Sequence, residues 1–167
     1  MAFHWTLYFC VFLALWSALV GGVFKAFSEF IMAGLLRAEP AAGIESMQHI
    51  NRTVLRTEFV AALISIAVFS IAFAAYALVV IVGPGQYAIL GAALVYVPSV
   101  FMMTMFGNVP MNERLARLDH RSEEAATYWV IYGKQWTRLN HVRTLGSIFT
   151  AGLYLIAAIS LIASNQP

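Results

Sequence analysis

An amide, an imidazole and a guanidinium fall within four residues at Asn140-His141-Val142-Arg143, just ahead of an apolar run that begins at Leu145. Residues of these types can take up a proton and stabilise an anion. The imidazole of His141 would act as general base, and the amide and guanidinium would donate to the developing oxyanion. Trp129, Tyr132, Trp136, Asn140 and Arg143 recur at offsets of three and four, which places all five on one helical face. His141 lies about 100° round from Asn140, beside Thr137 and Thr144. The competing reading of the aromatics is a membrane-interface belt, where Trp and Tyr sit at the headgroup level and arginine snorkels.

Four asparagines, Asn51, Asn108, Asn112 and Asn140, lie within a turn or two of the same membrane boundary and suggest a hydrogen-bonding collar beneath the spans. Turn or capping chemistry competes for Asn108, within Gly-Asn-Val-Pro, and for Asn112. It suits the mid-helix Asn51 and Asn140 poorly. Glu29 and Glu58 are further candidates for this polar floor, with Lys25 one turn from Glu29. Glu45 and His49 are also one turn apart, but such a pair is not specific for a metal without further ligands. Neither H-E-x-x-H nor a second E-x-x-H accompanies it, so no metal ligands are assigned. The residues require no cofactor; haem stays open, because isolated axial histidines leave no spacing signature. His120 is expected in solvent and His4 at the opposite interface. The single cysteine, Cys10, precludes an intramolecular disulfide or a cysteine-based cluster.

The elements that must position these residues are membrane helices. The chain is 61% hydrophobic and only 11% charged, with a mean hydropathy of +0.78, whereas charged residues make up about a quarter of ordinary soluble chains. Four windows free of Asp, Glu, Lys and Arg, at about 5–24, 59–82, 87–106 and 145–163, reach the roughly 20 residues that a spanning helix needs. The first reads as a span and not a signal peptide, since no basic residue precedes it and no cleavage site follows. Every charge falls between Lys25 and Glu58 or between Glu113 and Arg143. The Arg and Lys excess there predicts a cytoplasmic side, with both termini and the Gly83-Pro84-Gly85-Gln86 turn outside, in a bacterial-type inner membrane. On that topology the Asn51-Arg52-Thr53 sequon is coincidental. A net charge of +2, with acids and bases interleaved, excludes nucleic acid as a partner.

Helical periodicity runs through the charged connections. The first helix is expected to continue past the bilayer, to stop at Glu39 and to restart at Pro40. Ile44, Met47, Ile50 and Val54 then lead into the second span. Ser122 is expected to cap a helix that runs unbroken from Ala125 into the fourth span. Pro98 should kink the third span, and Gly107 should lie near its end. Ala18, Gly22 and Ala26 form a small-residue stripe suited to close helix packing. The fold class expected is all-α: a single four-span domain over residues 1–167, an up-down four-helix bundle embedded in the membrane and extended on the cytoplasmic side.

The runs GVFKAFSEFIMAGL (22–35), SMQHINRTV (46–54), GNVPMNERLA (107–116) and YWVIYGKQWTRLNHVRTL (128–145) resemble the anthrone oxygenase-like family of small four-helix membrane proteins. The resemblance is carried most specifically by Asn-x-Pro-x-Asn and Trp-x-x-x-Asn-His-x-Arg and extends over nearly the whole chain. It implies oxidation of polycyclic anthrones to anthraquinones, with Asn51, Asn108, Asn112, Trp136, Asn140, His141 and Arg143 as the motif residues. Phe27, Phe30, Trp129 and Trp136 would wall a bilayer-level pocket for a flat apolar substrate. His141 would deprotonate it, Asn140, Asn108 and Arg143 would stabilise the anion, and dioxygen would react directly or on a haem or metal. The alternative is a non-catalytic module that binds a lipid, a quinone or a partner helix through the same collar. A transporter is disfavoured by spans without ionisable residues. Expected partners are the lipid bilayer, an apolar small molecule and, for an oxygenase, dioxygen; homo-oligomerisation stays open.

Overall fold

The computed structural model describes residues 2–163, with side chains described from Trp5 onward, so the interfacial role expected of His4 lies outside the described side chains. The first rod is α1 (Ala2–Ala26), a π-helical turn (Phe27–Ile31) and α2 (Met32–Arg37). It is followed by α3 (Pro40–Val54) and α4 (Glu58–Val80). The next rod comprises α5 (Pro84–Tyr96), two π-helical turns (Val97–Met102 and Thr104–Asn108) and α6 (Val109–Arg117). The last is α7 (Glu123–Ala163). Four of these units are long and apolar enough to cross a membrane. The all-α class is thus established, and the chain is an integral membrane protein.

Helix α7 runs for 41 residues, about 60 Å at 1.5 Å per residue and roughly twice a hydrocarbon core. Nearly half of it must therefore stand outside the bilayer. It is also the axis of the bundle, packing along α1 on one side and α5 on the other, while α4 closes the ring between α5 and α1. Side chains such as Leu15, Leu19, Val79, Val82, Ile159 and Phe106 point outward to lipid, as an apolar solvent allows. One core, around Leu13, Phe73, Ile89 and Tyr154, fills the end near the short turn. A second, of Val20, Phe24, Ile66, Tyr96 and Val100, lies midway, and a third, of Met32, Met47, Trp129, Tyr132 and Trp136, fills the charged end.

Local chemistry accounts for the punctuation. Pro40 opens α3 in its first turn, where its missing N–H costs nothing. Ser122 Oγ accepts from Ala125 N at 3.1 Å and caps α7. Gly83, at φ +100°, makes the turn into α5, a conformation that only glycine adopts freely. Gln86 Nε2 seals that turn by donating to Ala77 O at 3.0 Å.

Three expectations need correction. The third rod does not end near Gly107; it continues as helix to Arg117, because its prolines fall where the ladder changes register. Val97 N still bonds four residues back to Ala93 O, whereas Met103 N bonds five back to Pro98 O. Entering a wider turn skips one N–H, and Pro98 has none to lose. The second span, by contrast, is separated from α3 by a turn at 55–57, closed by Thr57 Oγ1 on Val54 O at 2.8 Å. The small-residue contact is displaced by one position: Ala18 and Gly22 face outward, and Gly21 meets Ser147, whose Cβ would lie 2.9 Å from an added methyl group.

Close packing makes a contrast between two glycines. A methyl group at Gly43 would meet Leu35 O at 2.5 Å and Trp129 Cζ2 at 3.2 Å, whereas nothing lies within 4 Å of one at Gly22. Gly43→Ala should cost about 1–3 kcal/mol of stability, as overpacking does. Gly22→Ala should be neutral or gain up to about 1 kcal/mol through helix propensity. Unfolding midpoints in detergent check this, and equal effects of the two substitutions would refute the packing.

Candidate functional site

The polar residues of α7 meet the rest of the bundle where the middle core gives way to the charged-end core. Asn140, fully buried, donates from Nδ2 to Phe24 O at 2.6 Å and to Ser28 Oγ at 2.7 Å. These bonds reach the stretch where α1 enters its π-helical turn. They also settle the orientation of the amide, because both donors face α1 and Oδ1 must face the other way. Oδ1 accepts from Arg143 Nη2 at 2.6 Å.

Arg143 is 5% exposed. Its guanidinium lies over the Phe24 ring at 4.2 Å and the Trp136 ring at 5.2 Å, close enough for cation–π attraction. Nη1 reaches Thr104 Oγ1, in the second π-helical turn, at a long 3.4 Å. Nε has no hydrogen-bond partner. The ion pairs among the described residues, Lys25–Glu29, Glu113–Arg117 and the contacts of His120 with Glu45 and Asp119, leave Arg143 without a carboxylate.

A second group stands beside this one. Asn112 Oδ1 accepts from Tyr132 Oη at 2.7 Å and from Trp136 Nε1 at 2.9 Å. It thereby aligns a stack in which Trp129 and Tyr132 lie 5.4 Å apart and Tyr132 and Trp136 6.1 Å apart. Phe27 packs against Trp136 at 5.8 Å. Asn108 donates to Trp136 O at 3.2 Å, while its buried Oδ1 has no partner. Trp129 Nε1 is likewise buried without a partner, whereas the Asn51 side chain lies within hydrogen-bonding reach of Tyr132. Buried polar atoms left unpaired cost roughly 1–3 kcal/mol each, and such atoms invite a ligand or water.

The structure therefore brings together Asn140, Arg143, Asn108, Asn112, Asn51, Trp136, Trp129 and Phe27. It does not bring His141 to them, since His141 lies exposed on the outer face of α7. Phe30, Glu29 and Glu58 are likewise exposed, so the pocket wall and the acidic part of the floor were misplaced. Trp129 and Trp136 are core residues and not a belt. Asn108 and Asn112 sit within helix and bond across the bundle, so turn chemistry explains neither. Glu45 turns to His120 at 4.0 Å, away from the pairing with His49 that spacing allowed. His120 is accordingly only a quarter exposed rather than free in solvent. No group of three His, Cys, Asp or Glu converges among the described residues.

Sequence reasoning missed two participants, Ser28 and Thr104, both at π-helical turns. Thr104 Oγ1 also donates to Val100 O at 2.7 Å. A widened turn turns side chains and carbonyls away from their α-helical directions, and periodicity at 3.6 residues cannot register that.

The tie between Asn140 and Arg143 can be measured by a double-mutant cycle. Asn140→Leu should cost about 1.5–3 kcal/mol for the charged hydrogen bond alone. Adding Arg143→Leu should return part of that loss, with a coupling of roughly 0.5–3 kcal/mol, because no stranded cation remains. Additive losses in detergent unfolding would refute the tie.

Searches among curated proteins and solved structures gave no match. The family model described as anthrone oxygenase matches residues 52–153. That range takes in Asn108, Asn112, Trp136, Asn140 and Arg143, and leaves Phe24, Ser28 and Asn51 before it. A match over more than half of the chain, together with a membrane bundle whose matched helices carry this polar cluster, shows that the chain belongs to the anthrone oxygenase family.

Proposed function

We propose that the protein is a membrane-bound oxygenase or oxidase that acts on an apolar aromatic or quinone-like substrate at the Asn140–Arg143 cluster. The observation that carries this reading is the buried guanidinium of Arg143, held by a neutral amide among aromatic rings, with the buried, unpaired Oδ1 of Asn108 on the neighbouring rod that bonds Trp136. Such surroundings suit a flat ligand with an apolar body and an oxygen at its edge. Family membership supports the oxidative chemistry. Oxidation of a ring methylene to a carbonyl by dioxygen balances without an added reductant: one oxygen atom enters the product and the other leaves as water with the two methylene hydrogens.

Within that reaction the chain's residues have separable tasks. Arg143 and Asn108 face the substrate oxygens, Asn140 positions Arg143, and Asn112 holds the Trp136 indole that, with Phe27 and Trp129, receives the rings. Asn51, within hydrogen-bonding reach of Tyr132, steadies that ring from α3. The cluster lies toward the charged end of the bundle, and the excess of arginine and lysine there supports a cytoplasmic side for it. A substrate dissolved in the bilayer would reach it between lipid-facing helices.

The rival reading, a binding module without turnover, uses the same unpaired atoms and predicts saturable binding of an anthraquinone with no chemistry. Purified protein in detergent, given an anthrone under oxygen, should form quinone faster than empty micelles do, with one dioxygen consumed per quinone. Arg143→Leu should lower the rate by about 10²-fold or more, as loss of an oxyanion donor does. Quinone formation no faster than spontaneous oxidation would leave the binding module as the correct account.

A further inference from the structure

Arg143 is a buried cation whose partners are all neutral. Asn140 offers a dipole, Thr104 a distant hydroxyl, and Phe24 and Trp136 their ring faces. The amide cannot be exchanged for anything better, because Asn140 Nδ2 is committed to Phe24 O and Ser28 Oγ. The ionisable groups on the packed elements do not help. On the first rod, Lys25 and Glu29 are exposed and paired with each other. The third rod has Tyr96, whose hydroxyl donates to Leu63 O, and then no ionisable side chain before the exposed Glu113. Helix α4 offers Glu58, also exposed, and Tyr76, which packs on the core at the opposite end of the bundle. On α7, Tyr132 is committed to Asn112, and His141 points away.

An ion taken out of water without a counter-charge is strongly disfavoured. A neutral acid beside it is therefore driven to ionise, typically lowering the acid's pKa by about 1–3. Ligands with charge spread over aromatic rings lose less hydration on entering this aromatic site than a carboxylate or phosphate would.

Resting on the reading of the site given above, we propose that the cluster takes its ligand as an oxygen anion, a phenolate or enolate, and that Arg143 itself brings about the ionisation with no protein side chain acting as base. The step is a proton loss alone: the O–H or C–H bond breaks, the electron pair stays on the ligand oxygen facing the guanidinium, and the proton passes to solvent. Asn108 Oδ1, buried and unpaired, accepts from a second hydroxyl of the ligand that remains neutral. His141, the base that sequence spacing suggested, has no part in it.

The test uses 2-hydroxyanthraquinone, a planar phenol already at the quinone level, whose anion absorbs apart from the neutral form. With the full chain in neutral detergent, its apparent pKa should fall by about one to three pH units relative to empty micelles. Arg143→Gln should bind the probe without the fall, Arg143→Lys should keep part of it, and His141→Ala should titrate like the parent protein. Both Arg143 variants keep a polar side chain, and circular dichroism is to check their folding. A bound probe that titrates as it does in empty micelles overturns the proposal, as does a fall that survives Arg143→Gln or disappears in His141→Ala. If anthrone is oxidised while the probe shows no fall, the ionisation proposal alone fails. If the probe does not bind and anthrone is not oxidised, the reading of the site fails and takes the proposal with it.

Discussion

Asn140 carries the constraint on which the arrangement depends. In a membrane no water is at hand to satisfy a polar group, so each must find its partner within the protein. This one amide serves a backbone carbonyl of α1, a hydroxyl of the π-helical turn that follows it and the guanidinium of its own helix. Its orientation thus ties the two most extensively packed helices together and decides which way Arg143 points. Without it the cation would have a weak contact to Thr104 and two ring faces. The functional centre and the helix–helix contact are one piece of chemistry, which is why the polar residues can persist beside apolar cores.

The surrounding scaffold serves that centre through close approach and through changes of helical register. Gly21 lets Ser147 come near, and Gly146 leaves room for Ser99 of the third rod, so α1 and α5 can both lie against α7. The π-helical turns in the first and third rods fall at the level where these two elements face Asn140 and Arg143. Widened turns of this kind are frequent at functional sites. Here they turn Ser28 and Thr104 inward without breaking the helices. Toward the charged end, Asn112 fastens Tyr132 and Trp136 together, and Gln48 Nε2 binds the carbonyls of Leu115 and Leu118 at 2.8 and 2.9 Å. The extension beyond the membrane is therefore a packed continuation of the bundle and not a set of loops.

Much of this was legible before the structure. The spans follow from hydropathy, the caps at Pro40 and Ser122 from local residue types, and the shared face of Trp129, Tyr132, Trp136, Asn140 and Arg143 from spacing alone. The neighbouring residue, His141, shows the limit. A step of about 100° on a helix was enough to move it from a supposed base to the outer surface. Phe30 and the stripe of Ala18 and Gly22 were misplaced for a related reason: an almost uniformly apolar helix has no amphipathic pattern to say which side meets protein and which meets lipid.

By itself, then, the sequence determined that the chain crosses a membrane four times, where its polar residues gather along the bundle axis, and which family motifs they form. These are consequences of transfer energy and local backbone preference, which act residue by residue. Only the tertiary structure decided which polar groups meet. It turned Asn140 toward α1, left Arg143 without a counter-ion among the described residues, drew Asn108 and Asn112 into helix and set His141 outside. Those outcomes depend on the rotation of each helix about its own axis, and in an apolar solvent that rotation is set by close packing and hydrogen bonds between helices.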